Sequence, residues 1–262
     1  MFRNTCYLAR QIGNILCKEA LIWIKPGKVH TTSLDSEVCG ESFEIQYYLP
    51  KSYSDLYKYN VIITFDSQDF FKYGQLERLI EKMETDDELE RAIIVGVPYP
   101  SVEWRNHYFS PNGEQHEKFV TFVGRELNSF IDNNFKTLKM ANSRLLMGES
   151  LAGSFALSVA LTYPNTFSQV LAFSPFVDEQ FISRFKNSMS LINLNIYHTI
   201  GLEEDDFKTI MGQQADFLTP NRELNAVLEN EPLEYTYREL EGGHIWKTWK
   251  PELKNVLEHF FR

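Results

Sequence analysis

The sequence predicts an α/β fold in which a central, mostly parallel β-sheet carries helices on both faces. Two observations predict this fold. Short apolar segments alternate with longer helical patterns along most of the chain. Several of those short segments are almost continuously apolar, as is typical of strands that are covered on both faces.

Six segments have the length and composition of strands. The segment at residues 43–49 alternates between apolar and polar side chains and stops at Pro50, which indicates an outer antiparallel strand. The other five are nearly continuous apolar segments and are predicted to form the buried centre of the sheet. They lie at residues 61–65, 93–97, 145–147, 170–173 and 196–200.

Five helical patterns lie between and after these strands, at residues 76–83, 116–135, 151–163, 221–229 and 251–261. In the longest one, Phe119, Phe122, Val123, Leu127 and Phe130 recur at spacings of three and four residues. This spacing gives one apolar stripe, which we expect to face the core. No internal repeat or flexible linker divides the sequence.

The 262 residues, of which 43% are hydrophobic, are enough to bury one sizeable core, so we expect a single domain over residues 29–262. Residues 1–28 are expected to form an N-terminal extension with an amphipathic helix. The alternative is a signal peptide, but Asn14, Lys18 and Glu19 interrupt its apolar part and no small-x-small cleavage site follows.

The formal net charge of −10 argues against nucleic acid or an anionic membrane surface as a partner, because such binding depends on clustered Lys and Arg. Cys6, Cys17 and Cys39 have neither zinc-site spacing nor a disulfide pattern, which favours a reducing, cytoplasmic location. No run of roughly 18 apolar residues indicates a membrane span. The sequence leaves open whether the chain forms a homo-oligomer.

The segment Gly148-Glu149-Ser150-Leu151-Ala152 joins a predicted buried strand to a predicted helix. A nucleophile elbow needs small residues two before and two after its serine, and Gly148 and Ala152 are small. In that geometry Ser150 is the nucleophile, and the Leu151 amide, at a helix N-terminus, points toward the reacting oxygen. The alternative interpretation is a tight turn whose small residues serve packing alone.

His244 is predicted to be the general base for Ser150. A serine hydroxyl is a weak nucleophile at neutral pH and needs an adjacent base to accept its proton. In α/β-hydrolases the chain order is serine, acid and histidine, and His244 lies near the C-terminal end, after Gly242 and Gly243, which would give its loop freedom. For His30, His116, His198 and His259, solvated or packing roles are expected.

The acid of such a triad is expected in the loop that follows the strand at residues 196–200. Glu203, Glu204, Asp205 and Asp206 all lie there, and residue spacing alone does not choose among them. The alternative interpretation of this charged run is a solvated loop without a catalytic role.

An aromatic segment at residues 99–108 follows the strand at residues 93–97 and is predicted to be a loop that lines a substrate pocket. We expect His107 in this segment to contact substrate. Trp246, two residues after His244, is a second aromatic candidate for the pocket.

From about Val29 onward, the chain resembles the esterase branch of the α/β-hydrolases that includes enterochelin esterases, feruloyl esterases and S-formylglutathione hydrolases. The apolar strand that ends in Asp66 resembles the family's strand ending in Asp-Gly. Further similar features are Arg105 followed by Tyr108-Phe109-Ser110-Pro111, the long helical pattern before the serine strand, Tyr163-Pro164-Asn165-Thr166-Phe167 with Ser174-Pro175, and Gly243-His244-Ile245-Trp246-Lys247-Thr248-Trp249.

The resemblance implies roles for several residues. It implies that Glu204, three residues after Gly201, is the triad acid, with Glu203 as the second choice. It also implies that the turn after Asp66 supplies the second oxyanion amide, from Gln68, and that Arg105 lies in the substrate-binding segment. Ser67 stands where the family usually has glycine, so a positive φ at that position would strain or rebuild the oxyanion turn.

The sequence therefore predicts a serine hydrolase of the α/β-hydrolase fold that cleaves carboxylic esters through an acyl-serine intermediate, acts on a small-molecule ester, and needs no metal or organic cofactor. The alternative is a catalytically weak or inactive binding protein that keeps the hydrolase scaffold, which the Ser67 position favours. The sequence does not indicate which ester or thioester is bound.

Overall fold

Eight strands form one mixed sheet in the computed structural model of the protein, which describes residues 25–188, 191–209 and 212–262. The strands are β1 (Val29–Ser36), β2 (Glu41–Tyr48), β3 (Asn60–Phe65), β4 (Ala92–Val97), β5 (Arg144–Glu149), β6 (Gln169–Phe173), β7 (Asn195–Gly201) and β10 (Glu234–Leu240). A separate two-stranded ribbon pairs β8 (Phe207–Lys208) with β9 (Gln214–Ala215).

The strand order across the sheet is β1-β2-β4-β3-β5-β6-β7-β10. The pairings β1 with β2 and β2 with β4 are antiparallel, and every other pairing in this sheet is parallel. All five predicted central strands are present, as β3 to β7. The predicted outer antiparallel strand is β2, but β1 lies outside it and forms the edge.

The helices are α1 (Ser67–Asp69), α2 (Leu76–Thr85), α3 (Val102–Tyr108), α4 (His116–Thr121), α5 (Asn128–Asn134), α6 (Leu151–Thr162), α7 (Glu179–Lys186), α8 (Leu218–Leu228), α9 (Trp246–Trp249) and α10 (Leu253–Phe261). There are two π-helical segments. Phe70–Gly74 lies between α1 and α2, and Phe122–Leu127 connects α4 to α5. The 3-10 turns are Ala141–Ser143, Leu191–Asn193 and Lys250–Glu252. The five predicted helices are therefore confirmed, and the one at residues 116–135 contains a π-helical segment.

Part of the predicted aromatic loop at residues 99–108 is helical, and the prediction of a loop was wrong for α3. The sequence did not predict this helix because Pro98 and Pro100 precede it, and proline is typical of turns. Ser101 begins the helix, since its side chain accepts a 3.1 Å hydrogen bond from the Trp104 amide. Helix α7, capped in the same way by Asp178, was not predicted.

Successive side chains of the central strands contribute to two different cores, one on each face of the sheet. In β3, Val61, Ile63 and Phe65 belong to one core, which also contains apolar residues of α4 to α8. Ile62 belongs to the other core, against residues of α2 and α10. Helices therefore cover both faces, and the carboxyl ends of the parallel strands meet at one edge, where ligand sites of open α/β sheets usually lie.

The amphipathic helix predicted within residues 1–28 falls mostly on residues 1–24, which lie outside the described residues. Residues 25–28 form a turn before β1, in which the Gly27 amide donates a 2.8 Å hydrogen bond to the Leu49 carbonyl. Over the described ranges, none of the helices has the length and apolar character required to traverse a lipid bilayer.

Candidate active site

Ser150 lies at a sharp turn between β5 and α6. Its backbone has φ 57° and ψ −125°, a strained conformation for a residue with a side chain. The Ser150 amide donates to the Phe173 carbonyl at 2.8 Å, which ties the turn to β6. A side chain at Gly148 would come within 2.3 Å of the Ala152 carbonyl, so glycine is required where strand and helix cross. The Ser150 side chain is consequently held, partly exposed, at the carboxyl edge of the sheet.

Three neighbouring parallel strands are each followed by a non-glycine residue with positive φ. Asp66 follows β3 with φ 58°, Ser150 follows β5 with φ 57°, and Ser174 follows β6 with φ 43°. Each such non-glycine residue costs about 1–3 kcal/mol, and strained residues of this kind cluster at functional sites. The clustering of three at one edge marks this edge as the candidate site.

Glu204 is fully buried and forms a hydrogen bond with His244. The distance from Glu204 Oε2 to His244 Nδ1 is 2.6 Å. The other carboxylate oxygen, Oε1, accepts a 2.6 Å bond from the Ser174 hydroxyl and a 2.9 Å bond from the Gly201 amide. These bonds fix the orientation of the carboxylate. A proton on Nδ1 would be held against Glu204, which leaves Nε2 as the free basic nitrogen.

Three aromatic rings surround the imidazole of His244. Phe207 of the β8–β9 ribbon stacks on it at a centroid distance of 4.8 Å, while Phe217 and Trp249 meet it edge-on at 4.8 and 5.0 Å. Gly242, two residues earlier, has φ 120°, which favours glycine. The loop and the aromatic rings together restrict the imidazole to one position.

Ser174 connects the serine turn to the acid and histidine. It directly follows Phe173, whose carbonyl accepts from Ser150, and its hydroxyl bonds to Glu204. The same hydroxyl accepts a 3.0 Å hydrogen bond from Trp249 Nε1. The structure therefore brings Ser150, Glu204 and His244, which are far apart in the sequence, to one edge of the sheet.

The two backbone amides that are predicted to bind an oxyanion both lie at the start of a helical segment. Leu151 is the first residue of α6, and Gln68 is the second residue of α1, so neither amide has an acceptor within its own helix. The Gln68 side chain holds its turn in place, because it donates to the Tyr99 carbonyl at 3.1 Å and accepts from the Tyr99 amide at 3.3 Å.

The condition under which Ser67 would strain the turn, a positive φ at that position, is not met. The left-handed residue is Asp66, and Ser67 begins the helical turn α1. Room for the Ser67 side chain comes from Gly96 on β4, where an added Cβ would lie 2.4 Å from Ser67 Cβ. The Ser67 hydroxyl also donates a 3.0 Å hydrogen bond to Gln46 Oε1 on β2. The turn therefore accommodates serine through a glycine on the adjacent strand.

The remaining predicted site residues occupy different environments. Arg105 is buried and bonded to Asp66 and to the Glu149 carbonyl. His107 is partly exposed on α3, with Nδ1 3.9 Å from a carboxylate oxygen of Glu114. Trp246 packs edge-on against Phe70, in the segment that follows the oxyanion turn. Substrate contact by these three residues stays a prediction.

Two buried carboxyl groups lie behind the strained turns. Burial raises the pKa of Glu149 well above its usual range, and the neighbouring Asp66 raises that pKa further. Burial also raises the pKa of Asp66 to about 6, although Arg105 opposes this shift. Arg105, which contacts Asp66 Oδ2, provides the positive charge beside these two carboxyl groups.

Sequence reasoning did not assign roles to Ser174 and Phe207. Ser174 could have been suspected because Ser174-Pro175 directly follows a predicted strand, next to the serine strand. Phe207 gave no sequence signal, since its contact with His244 joins two distant loops. Within the described ranges, no three His, Cys, Asp or Glu side chains are grouped so that they could hold a metal ion.

Comparison with known protein families identifies the family of the chain. The family described as "Putative esterase" matches residues 36–260. The chain belongs to this esterase family. As a member, it is expected to hydrolyse esters in general, and the family match covers every candidate site residue named above.

Two known proteins are similar to this chain in sequence. The chain is 36% identical over 234 residues to a Bacillus subtilis (strain 168) protein described as "Uncharacterized protein YjcH", an alignment that covers 89% of this chain and 98% of the relative. It is 27% identical over 197 residues to an acetyl esterase of Caldicellulosiruptor saccharolyticus, covering 65% of this chain and 73% of the relative.

The fold of this esterase-family chain matches that of a solved ferulic acid esterase with a TM-score of 0.75 and 19% sequence identity, over 90% of this chain and 98% of the other. At this identity the likeness concerns the fold alone. The predicted α/β-hydrolase fold is thereby confirmed.

Proposed function

We propose that the protein is a serine esterase that cleaves carboxylic esters through an acyl-serine intermediate, with Ser150, His244 and Glu204 as its triad. The observation that carries this proposal is the 2.6 Å hydrogen bond between the buried Glu204 and His244, at the strand edge where Ser150 sits in a strained turn.

In the first step, His244 Nε2 accepts the proton of the Ser150 hydroxyl while the oxygen attacks the ester carbonyl. The positive charge that develops on the imidazole faces the Glu204 carboxylate, which stabilises it. Collapse of the tetrahedral intermediate breaks the bond to the alcohol, which takes the proton from His244. The acyl group then remains on Ser150.

In the second step, water attacks the acyl group, and His244 accepts its proton and returns it to the Ser150 oxygen. The carbonyl oxygen carries negative charge in both tetrahedral intermediates. The amides of Leu151 and Gln68 would stabilise that charge, since each lies at the start of a helical segment that follows a strained strand end.

A binding protein that keeps the hydrolase scaffold is the alternative function. It was favoured by the serine at position 67, because a strained oxyanion turn would weaken catalysis. Since Ser67 has a helical backbone and Gly96 leaves room for it, this support is gone.

Turnover of p-nitrophenyl esters with acyl chains from acetyl to octanoyl tests the proposal. We expect hydrolysis by the wild-type protein and a loss of several orders of magnitude in kcat for S150A and H244A. S183A, at an exposed serine on α7, is the matched control and should keep the wild-type rate. The proposal is wrong if wild type and S150A both match the buffer rate, or if S150A retains wild-type turnover.

The substrate is proposed to be a small-molecule ester. The similarity to an acetyl esterase supports starting the series at acetyl, and the chain length that gives the highest kcat/KM would define the acyl group that the site accommodates.

A further inference from the structure

The hydrogen bonds of Arg105 are made to groups of the protein itself, at two strand ends of the candidate site. Its Nε donates a 2.7 Å hydrogen bond to Asp66 Oδ2, and its Nη2 also contacts that oxygen. Nη2 donates a further 3.0 Å hydrogen bond to the backbone carbonyl of Glu149. The side chain is only 10% exposed, so its charged group is directed into the protein.

The two acceptors of Arg105 occupy equivalent places in the fold. Asp66 directly follows β3 and precedes the turn that contains Gln68. Glu149 is the last residue of β5 and precedes Ser150 and Leu151. The two strands are hydrogen-bonded neighbours in the sheet. One guanidinium therefore joins the two strand ends that carry the two proposed oxyanion amides.

The backbone is strained at both strand ends, so the hydrogen bonds of Arg105 can help to hold it in place. Asp66 and Ser150 have left-handed φ values of 58° and 57°, and such conformations persist only where surrounding structure holds them. An oxyanion hole also needs its donors fixed in advance, because the stabilisation is lost when they must reorganise during the reaction.

We propose that Arg105 is a positioning residue that sets the separation of the Gln68 and Leu151 amides and so supports transition-state stabilisation rather than substrate binding. This inference rests on the proposed function of Ser150. Arg105 acts through the backbone of the two turns and does not touch the reacting atoms.

A guanidinium suits this role better than an ammonium group. It presents several donors in a rigid plane, so it can bond a carboxylate and a carbonyl at once in fixed directions. The Arg105 Cζ lies 5.6 Å from the centroid of the Tyr99 ring, and the Tyr99 backbone carbonyl accepts a hydrogen bond from the Gln68 side chain, so Tyr99 contacts both Arg105 and the turn that contains Gln68. A lysine could keep the charge but would lose the fixed geometry.

The protein contains a matched control for this residue. Arg144, the first residue of β5, is also buried and also bonds one carboxylate and one backbone carbonyl, those of Asp132 at 2.8 Å and Thr166 at 3.3 Å. It lies at the opposite end of the strand that leads to Ser150. A change at Arg144 therefore disturbs a similar buried pair without touching the proposed oxyanion turns.

The experiment compares R105K and R144K with wild type in three measurements: kcat and KM for a p-nitrophenyl ester, inhibition by an aryl trifluoromethyl ketone, and the thermal midpoint. We expect R105K to lose about 10- to 100-fold in kcat, less than the loss of a whole oxyanion donor, with KM within about threefold. Ketone affinity should fall in parallel with kcat, because the bound ketone carries an oxyanion. R144K should lower only the thermal midpoint.

Three results would overturn the proposal for Arg105: kcat of folded R105K within about threefold of wild type, a rise in KM at constant kcat, or an equal loss of kcat in R144K. If R105K does not fold, D66N is tested in its place, because asparagine keeps the shape of the aspartate side chain and weakens its bond to Arg105. An unchanged kcat in D66N would overturn the proposal. Inactive wild-type protein would instead refute the proposed function, and the role of Arg105 with it.

Discussion

Ser174 and Glu204 are joined by a 2.6 Å hydrogen bond between the serine hydroxyl and carboxylate oxygen Oε1. Because Ser174 also accepts a hydrogen bond from Trp249 Nε1, the indole, the hydroxyl and the carboxylate form a chain that ends at His244. Ser174, which follows β6, and Trp249 of α9 therefore fix oxygen Oε1 of the Glu204 carboxylate. The other oxygen, Oε2, is directed toward the imidazole of His244.

We therefore expect E204Q to lower kcat by about 10²- to 10⁴-fold, because the amide cannot stabilise the imidazolium or hold its tautomer as the carboxylate does. The measurement is steady-state kinetics with a p-nitrophenyl ester. E203Q is the control: Glu203 is exposed, and its change should alter kcat by no more than about twofold. If E203Q lost more kcat than E204Q, the triad acid would be Glu203, and the assignment of Glu204 would be wrong.

The contact between Gly96 and Ser67 gives a second prediction. An alanine at position 96 would place its Cβ 2.4 Å from Ser67 Cβ, so G96A should lower the free energy of unfolding by about 1–3 kcal/mol. The double variant G96A/S67G should regain most of that loss, because the clashing side chain is gone. Urea denaturation of both single variants and the double variant measures the coupling. Additive effects would contradict the proposed contact.

A third prediction concerns stability at acidic pH. Burial lowers the pKa of His198 to about 4, from an ordinary value of 6.5, and both ring nitrogens bond to neutral partners, Tyr235 and Asn221. The unfolded chain therefore binds a proton near pH 6.5, whereas the folded chain does so only near pH 4. His198 stabilises the fold fully above about pH 6.5, and this contribution is lost as the pH falls toward 4.

The loss is on the order of 3 kcal/mol for His198. His116, which is buried beside Phe155 and whose pKa burial also lowers to about 4, adds to it. Urea denaturation between pH 7 and pH 4.5 should show a steeper loss of stability in wild type than in H198Q, which has no titrating group at that position. Equal pH slopes in the two proteins would contradict the prediction.

The central strands could be predicted because their side chains are apolar on both faces, as in β3 and β4. The edge strands were missed for the opposite reason. β1 has few apolar residues and alternates between exposed and half-buried side chains, and much of β10 is exposed. Such strands are defined by pairing with a neighbour, which a local sequence pattern does not report.

The site was predictable in part. Ser150 and His244 stand in local patterns that the chemistry requires, whereas spacing alone did not separate Glu204 from the three other carboxylates of its loop. The structure separates them, since Glu204 is buried and Glu203, Asp205 and Asp206 are exposed. The burial of Arg105 could not be predicted, because a charged side chain is usually exposed and its partner Asp66 lies 39 residues away.

The most direct test of the central proposal is reaction with a fluorophosphonate, followed by mass spectrometry of the intact protein and of its peptides. We expect one stoichiometric adduct on Ser150, lost in S150A, kept in S183A and formed much more slowly in H244A. Absence of an adduct on wild-type protein, or an adduct on a residue other than Ser150, would contradict the assignment of Ser150 as a nucleophile activated by His244.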